Sequence, residues 1–105
     1  MTLQFGLQES TVKKICDVLA LYPQVETAVL YGSRAKGNYK NGSDIDLTLF
    51  GGPDLTMKVL YSIMDEIDDL LLPYTFDLSI FNHISDPDVI EHIQRVGVAL
   101  YEKKE

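Results

Sequence analysis

The stretch from Val29 to Phe50 constrains the fold of this chain more than any other part of the sequence. It begins with an apolar run typical of a buried strand, breaks at Gly32-Ser33, and returns as a second strand of alternating residues. Small residues at such a break let the backbone approach a ligand, and backbone N–H groups there can receive phosphate. The sequence therefore predicts a strand, a tight glycine turn and a second strand beside a ligand.

Two aspartates share one face of the second strand. Asp44 and Asp46 alternate with the apolar residues Ile45, Leu47 and Leu49. At about 3.3 Å per residue their Cα atoms are roughly 6.6 Å apart, so both carboxylates can converge on one cation or on a pair of cations. Two unpaired carboxylates repel each other, and Mg²⁺ removes that repulsion while also binding substrate phosphates. The aspartate pair and the glycine turn together indicate nucleotide chemistry.

A third aspartate lies inside a later apolar segment. Asp77 falls within the strand predicted from Tyr74 to Phe81. A carboxylate in such surroundings needs an ion pair, hydrogen bonds or a metal. We expect Asp77 either to join the face of Asp44 and Asp46 or to cap a loop amide.

Helical periodicity and turn signals place the remaining elements. Helices are expected over residues 8–21, 54–72 and 86–97, and strands near 25–31, 44–50, 75–81 and 98–101. Asp54 and Asp86 are the expected N-caps of the second and third helix, and the connector 34–43 is expected to hold a short helix and a turn at Asn41-Gly42. This order predicts one α/β domain over residues 1–105, with a small mixed, partly antiparallel β-sheet flanked by helices.

Several reactive side chains are interpreted as structural. Cys16 lies on the apolar side of the first helix, where it is expected to be a small buried hydrophobe. The acidic residues of 65–69 fall mostly opposite the predicted apolar stripe of the second helix, so they are interpreted as a solvated face. His83 and His92 have no spacing typical of a metal site, and the sequence assigns them no role. The predicted stripe consists of Met57, Leu60, Met64, Ile67 and Leu71.

Size and charge limit the possible functions. With 105 residues and a formal net charge of −7, the chain is expected to form one modest core and to lack an extended surface for nucleic acid or anionic membrane. No apolar run reaches the roughly 18 residues that span a bilayer, and the N-terminus lacks the pattern of a signal peptide. The lone Cys16 fits a reducing compartment. These features predict a cytoplasmic protein.

The combined motif resembles the nucleotidyltransferase domain of the DNA polymerase beta superfamily. It is most similar to the minimal nucleotidyltransferases of bacteria and archaea, which share a Gly-Ser pair, ten intervening residues, Asp-x-Asp and a third Asp on a separate strand. The resemblance covers nearly the whole chain, because helix, two strands, helix, strand and helix is the order of the bare catalytic core. It implies a polymerase-beta-like nucleotidyltransferase fold.

The resemblance also implies roles for individual residues. Gly32 and Ser33 would bind the phosphates of ATP or another nucleoside triphosphate, and Arg34 or Lys36 would steady them. The metal-binding and catalytic residues would be Asp44, Asp46 and Asp77, which would hold two Mg²⁺ ions. The implied reaction is transfer of a nucleoside monophosphate, AMP from ATP, to a hydroxyl group.

Relatives with larger chains carry extra domains that hold the base and the acceptor, and this chain has no residues left for them. Minimal nucleotidyltransferases are often paired with a helical HEPN-type protein, and some act as antitoxins that transfer AMP to a tyrosine of that partner. A hetero-oligomer or a dimer is therefore expected. The alternative is a subunit without enzymatic activity that binds nucleotide or masks its partner. Three clustered carboxylates favour the enzyme, because a scaffold gains nothing from their mutual repulsion.

Overall fold

A four-stranded mixed sheet forms the centre of the protein. The computed structural model describes residues 3–40 and 42–104, so Asn41 of the predicted Asn41-Gly42 turn lies outside the described residues. The strands are β1 (Leu3–Gln4), β2 (Leu7–Gln8), β3 (Thr27–Tyr31), β4 (Ile45–Phe50), β5 (Phe76–Ile80) and β6 (Val98–Glu102). The helices are α1 (Glu9–Ala20), α2 (Gly32–Lys36), α3 (Met57–Asp68) and α4 (Pro87–Val96), with a 3-10 turn at Phe81–His83.

The order of strands in the sheet is β5-β4-β3-β6. β3 pairs antiparallel with both β4 and β6, whereas β4 and β5 run parallel and are joined by the crossover helix α3. The predicted small mixed sheet flanked by helices is confirmed, and the short strand near residue 98 lies at an edge as expected. None of the helices within the described ranges has the length and apolar character needed to cross a membrane.

The core lies between the sheet and the helices α1 and α3. The apolar face of β4 is fully buried, as its alternation predicts, and the apolar sides of both helices pack against the sheet. Each fully buried Leu or Ile side chain contributes about 1.5–3 kcal/mol relative to an exposed one. Cys16 is half-buried rather than fully buried as expected, and its Sγ donates a hydrogen bond to the Leu100 carbonyl. The fully buried aliphatic side chains include Leu7, Ile15, Leu19, Leu30, Ile45, Leu47, Leu49, Ile63 and Ile67.

The helix termini confirm one predicted cap and correct another. Asp86 accepts a hydrogen bond from the backbone N–H of Asp88 at 2.9 Å, Pro87 is the first residue of α4, and Gly97 follows its last turn. In contrast, α3 begins two residues later than the prediction allows, and Thr56 rather than Asp54 accepts the capping bond, from Val59 N–H at 3.4 Å. The prediction that Asp54 caps α3 is wrong, because Pro53 and Asp54 lie in the turn before the helix.

The apolar stripe of α3 is shorter than predicted. Leu60, Ile63 and Ile67 are buried, but Met57 is 40% exposed and Leu71 is 88% exposed. Met57 is the first helical residue, and α3 ends at Asp68, so Leu71 lies beyond the helix with a φ of +54°. The prediction that Met57 and Leu71 belong to the core is therefore wrong.

A short hairpin at the N-terminus has no counterpart in the sequence-based prediction. β1 and β2 pair antiparallel, and the two residues between them, Phe5 and Gly6, both have positive φ (57° and 75°), as a tight primed turn requires. Leu7 anchors the hairpin because its side chain is fully buried in the core. Strands of two residues are too short to produce a detectable alternation, which explains why the hairpin was missed.

Candidate active site

Three side chains lie in a row across adjacent strands at one end of the sheet. Tyr31, the last residue of β3, pairs with Asp46 of β4, and Asp46 in turn pairs with Asp77 of β5. Neighbouring strands are about 4.8 Å apart, so paired residues stand side by side. The parallel pairing of β4 with β5 therefore brings together two of the three aspartates that the sequence singled out, although α3 separates them along the chain.

The glycine turn lies directly against this row. Gly32 follows Tyr31 and has a φ of +76°, a conformation that side-chain-bearing residues rarely adopt. A Cβ atom at Gly32 would also collide with Oδ2 of Asp46. The positive φ disfavours a side chain at position 32, and a Cβ there would displace the Asp46 carboxylate, which the glycine allows to lie against the turn.

The Asp46 carboxylate is electrostatically unfavourable as it stands. Partial burial raises its pKa, and the negative charges of Asp77 and Asp44 raise it further, while a protonated His92 would oppose the shift. Burial also raises the pKa of the Tyr31 phenol, and the negative charges of Asp77 and Asp46 add to this shift. The row is therefore a site of concentrated negative charge that a cation would relieve.

The donor set suits a hard cation. Asp44 and Asp77 are exposed and Asp46 is half-buried, so all three carboxylates remain accessible. Within residues 3–40 and 42–104, no three Asp, Glu, His or Cys side chains are placed closely enough to hold a metal ion together. Mg²⁺ takes only one or two carboxylates and completes its shell with water and substrate phosphates. Asp46 and Asp77 fit that requirement, and Asp44 lies directly before β4, two residues from Asp46.

His92 occupies a place in the site that the sequence did not assign to it. The backbone N–H of Gly32 donates a hydrogen bond to Nε2 of His92 at 3.2 Å. The His92 ring also meets the Tyr31 ring edge-on, with 6.2 Å between their centroids. The interpretation of His92 as a residue without a role is corrected: α4 packs beside β3 and carries His92 to the glycine turn.

One open cavity unites these groups. Its volume is about 490 Å³ and it is lined by Tyr31, Gly32, Asp46, Asp77, Asp88, Val89 and His92. Asp88 and His92 are four residues apart on α4, a spacing that places them on one helix face. That Asp/His pair was the available sequence signal for the contribution of α4. Three carboxylates line the cavity, so it favours a metal-bound polyphosphate over a bare anion.

The side chain of Arg34 does not belong to this cavity. Arg34 is only 3% exposed, and its guanidinium donates to the carbonyls of Phe5 and Ser43. The expectation that Arg34 binds nucleotide is corrected, because its donor nitrogens are engaged by backbone oxygens away from the site. Ser33 follows Gly32 in α2, and its carbonyl accepts from the N–H groups of Gly37 and Asn38. Lys36 is exposed at the end of α2 and does not line the cavity.

Comparison with known proteins agrees with this architecture. The model of the family described as polymerase beta, nucleotidyltransferase matches residues 13–105. No curated protein matches the chain in sequence at a significant level.

Among the solved structures with a similar fold are chains of toxin–antitoxin complexes. A chain of a toxin–antitoxin complex crystallised with AMP-PNP gives a TM-score of 0.71 at 20% identity, covering 89% of this chain and 74% of that chain. A chain of the complex between the tri-AMPylated Shewanella oneidensis HEPN toxin and an MNT antitoxin gives 0.68 at 18% identity, covering 92% and 74%. At such identities the likeness shows a shared fold.

Proposed function

This chain belongs to the polymerase beta nucleotidyltransferase family, and from that premise we propose that it transfers AMP from ATP to a hydroxyl group of a partner protein. One observation carries the proposal: the strand register places Asp46 beside Asp77, and the Gly32 turn lies against the Asp46 carboxylate. A phosphate-binding turn and a pair of carboxylates at one cavity are the parts that nucleotidyl transfer needs.

The proposed reaction forms one phosphorus–oxygen bond and breaks another. The acceptor oxygen attacks the α-phosphorus, the bond from that phosphorus to the bridging oxygen of the β-phosphate breaks, pyrophosphate leaves, and the hydroxyl proton is released. Asp44, Asp46 and Asp77 would hold two Mg²⁺ ions between them, and these ions would neutralise charge on the attacking and leaving oxygens. Gly32 and Ser33 would position the triphosphate through the backbone of the turn. The phosphate must replace His92 as the partner of the Gly32 N–H.

A partner protein is needed to complete the site. The cavity opens to solvent beside the exposed Asp77, whereas nucleotidyl transfer requires an acceptor held in line and water kept out. The similar structures come from complexes of a toxin with an antitoxin, one of them with a HEPN toxin described as tri-AMPylated. We therefore propose a hetero-oligomer with a helical HEPN-type partner, and a tyrosine of that partner as the acceptor. Because ATP is the donor, the protein is expected in the cytoplasm.

Intact-mass spectrometry of the two chains tests the proposal. The pair is incubated with ATP and Mg²⁺, and both chains are weighed. We expect the partner to gain the mass of one or more AMP groups with the wild-type chain, and none with Asp77→Asn. Asp65→Asn is the matched control, because it removes an exposed carboxylate from α3, away from the cavity, and should leave transfer unchanged.

The same measurement separates the enzyme from the alternative. The transfer reaction is contradicted if the two chains form a tight complex and neither gains mass. This outcome must hold with ATP, GTP, CTP and UTP, and with both Mg²⁺ and Mn²⁺. Only the role of a subunit that masks its partner would then remain. Calorimetric titration of the chain with ATP, with and without Mg²⁺, reports separately whether nucleotide binding depends on metal.

A further inference from the structure

We propose that Arg34 is a positioning residue for the metal site: it fixes the peptide that leads into Asp44 and ties it to the N-terminal hairpin. This inference rests on the proposed function, since it gives Arg34 a task in the binding of metal by Asp44. It concerns a residue that contacts neither the cavity nor a carboxylate. The Arg34 clamp denotes Arg34 together with the carbonyl groups of Phe5 and Ser43.

All three guanidinium nitrogens of Arg34 are engaged by backbone oxygens. Nε and Nη2 donate to the Ser43 carbonyl at 3.2 and 2.9 Å, and Nη1 donates to the Phe5 carbonyl at 2.9 Å. The forked, planar guanidinium can hold two carbonyls in fixed directions, which a lysine ammonium cannot do. The clamp thus joins two segments that are far apart along the chain.

The surroundings of Arg34 indicate that geometry, rather than charge pairing, accounts for its burial. Among the described residues, no carboxylate lies within ion-pair distance of Arg34. The rings of Tyr39 and Tyr74 lie on it instead, with their centroids 5.4 and 5.1 Å from Cζ. A buried cation without a counter-ion is costly, and carbonyl and aromatic contacts offset only part of that cost. An aliphatic side chain would fill the same space at a lower free-energy cost, but it would bind neither the Phe5 nor the Ser43 carbonyl.

The held carbonyl belongs to the peptide group that contains the nitrogen of Asp44. On the other side of Asp44, the N–H of Ile45 donates to the Thr75 carbonyl at 2.9 Å. Asp44 therefore lies between two fixed peptides, one held by Arg34 and one held by the strand that leads to Asp77. Its own side chain is exposed. The two held peptides therefore fix the direction of the Cα–Cβ bond from which the Asp44 carboxylate extends, and the Arg34 clamp holds one of these two peptides.

The N-terminal hairpin is the other end of the clamp. Its turn packs on Arg34 so closely that a Cβ atom at Gly6 would lie 2.9 Å from Nη1 and would also collide with the Tyr39 ring. The family match begins at residue 13, so the hairpin lies outside the matched part of the chain. The clamp nevertheless makes this hairpin a support of the metal site.

Binding of Mn²⁺ to the metal-free protein, followed by electron paramagnetic resonance in the presence of a non-hydrolysable ATP analogue, tests the clamp. Arg34→Lys keeps the charge but loses the fork, and Gly6→Ala pushes the hairpin away from Nη1. Loss of groups that orient metal ligands typically costs about 10–100-fold in metal affinity, so we expect a loss of about tenfold in Arg34→Lys and a smaller loss in Gly6→Ala. In AMP transfer, both variants should need more metal but reach the wild-type rate at saturation.

Gly37→Ala is the matched control. Gly37 has a φ of +87°, so alanine there strains the backbone as it does at Gly6, yet nothing lies within 4 Å of the added Cβ. We expect unchanged Mn²⁺ affinity in this variant, even if its melting temperature falls as in Gly6→Ala. Circular dichroism establishes that each variant is folded before titration, and Gly6→Ala carries the test if Arg34→Lys does not fold.

The outcomes distinguish this inference from the proposed function. Wild-type Mn²⁺ affinity in folded Arg34→Lys or Gly6→Ala, with reduced stability alone, overturns the positioning role and leaves the transfer reaction intact. An equal loss of affinity in Gly37→Ala also overturns it, because backbone strain would then be sufficient. A wild-type chain that binds neither Mn²⁺ nor the ATP analogue removes the proposed function and the inference together.

Discussion

At the scale of single residues, Asp46 carries a negative charge that the fold disfavours. Its pKa is raised by burial and by the charges of Asp77 and Asp44, so the folded state favours the protonated form more than the unfolded state does. We expect Asp46→Asn to raise the melting temperature at pH 7 while abolishing AMP transfer. Thermal unfolding and the intact-mass assay measure the two effects on the same sample.

The pH dependence of this effect has a definite sign. A carboxyl group whose pKa is higher in the folded state destabilises the fold above that pKa, and the cost disappears as the pH falls below the unfolded value of about 3.9. The stability advantage of Asp46→Asn should therefore shrink between pH 7 and pH 4. Asp65→Asn, at an exposed position of α3, serves as the control. A variant of Asp46 that is less stable than wild type at pH 7 would contradict the electrostatic account.

His92 gives a second prediction at this scale. Under the proposed function, nucleotide phosphate would replace His92 Nε2 as the acceptor of the Gly32 N–H and would break a hydrogen bond with a net value of about 0.5–1.5 kcal/mol. Since His92→Ala removes that competing bond, we expect it to tighten binding of ATP with Mg²⁺ by up to about tenfold. His92→Gln, which retains an acceptor, should stay closer to wild type. Calorimetric titration with ATP and Mg²⁺ measures the affinity of the wild-type chain, His92→Ala and His92→Gln.

The second histidine provides the control for this experiment. His83 is exposed in the 3-10 turn after β5, so His83→Ala should leave ATP binding unchanged. Weaker ATP binding by folded His92→Ala would contradict the expectation that His92 competes with phosphate for the Gly32 N–H. It would mean that His92 supports the turn in its binding conformation.

At the scale of elements, the two predicted aspartate caps offer a matched comparison. Asp86 accepts a backbone hydrogen bond at the start of α4, whereas Asp54 lies in the turn before α3 and Thr56 accepts the capping bond there. We expect Asp86→Ala to lower the free energy of unfolding by about 1 kcal/mol, which corresponds to about 4–8 °C in melting temperature, and Asp54→Ala to have little effect. Denaturant unfolding measures the free energy of unfolding of both variants. Equal losses in the two would contradict the assignment of Thr56 as the N-cap of α3.

The elements that the sequence predicts well are those with strong local signals. The alternation in β4 and the Asp-Pro start of α4 depend on neighbouring residues, and both were located to within a residue or two. The N-terminal hairpin was missed because its strands have two residues each. The end of α3 was placed too late because Leu71 continues the apolar spacing although the backbone has already left the helix.

The candidate site shows the same division between local and distant information. The spacing of Gly32, Asp44 and Asp46 is visible in one short stretch, and Asp77 was singled out as a charge in an apolar strand. Arg34 was misassigned because proximity in sequence to Gly32 suggested a shared ligand, whereas its side chain turns toward the Phe5 and Ser43 carbonyls. His92 is 60 residues from Gly32 along the chain, and only the packing of α4 brings them together.

At the scale of the whole molecule, net charge determines which partners can approach. A chain with a net charge of −7 repels polyphosphates over its general surface, so the proposed function requires that nucleotide be held locally, with the help of a metal ion. We expect fluorescence anisotropy with a labelled oligonucleotide of about 20 residues to show no binding at physiological salt, where non-specific binders reach a Kd of roughly 10⁻⁴ to 10⁻⁶ M. Binding in that range would contradict the prediction.

The parallel pairing of β4 with β5 has a consequence for the order in which the chain folds. β3 and β4 are antiparallel neighbours joined by a short connector, whereas β5 can pair only after the longer crossover through α3 has closed, and longer loops close at a higher entropic cost. We expect pulse-labelled hydrogen exchange during refolding to protect the amides of β3 and β4 before those of β5; simultaneous protection would contradict this order. A chain still emerging from the ribosome would then display the glycine turn and Asp46 without Asp77, and under the proposed function it would not act on ATP until β5 had been made and had paired with β4.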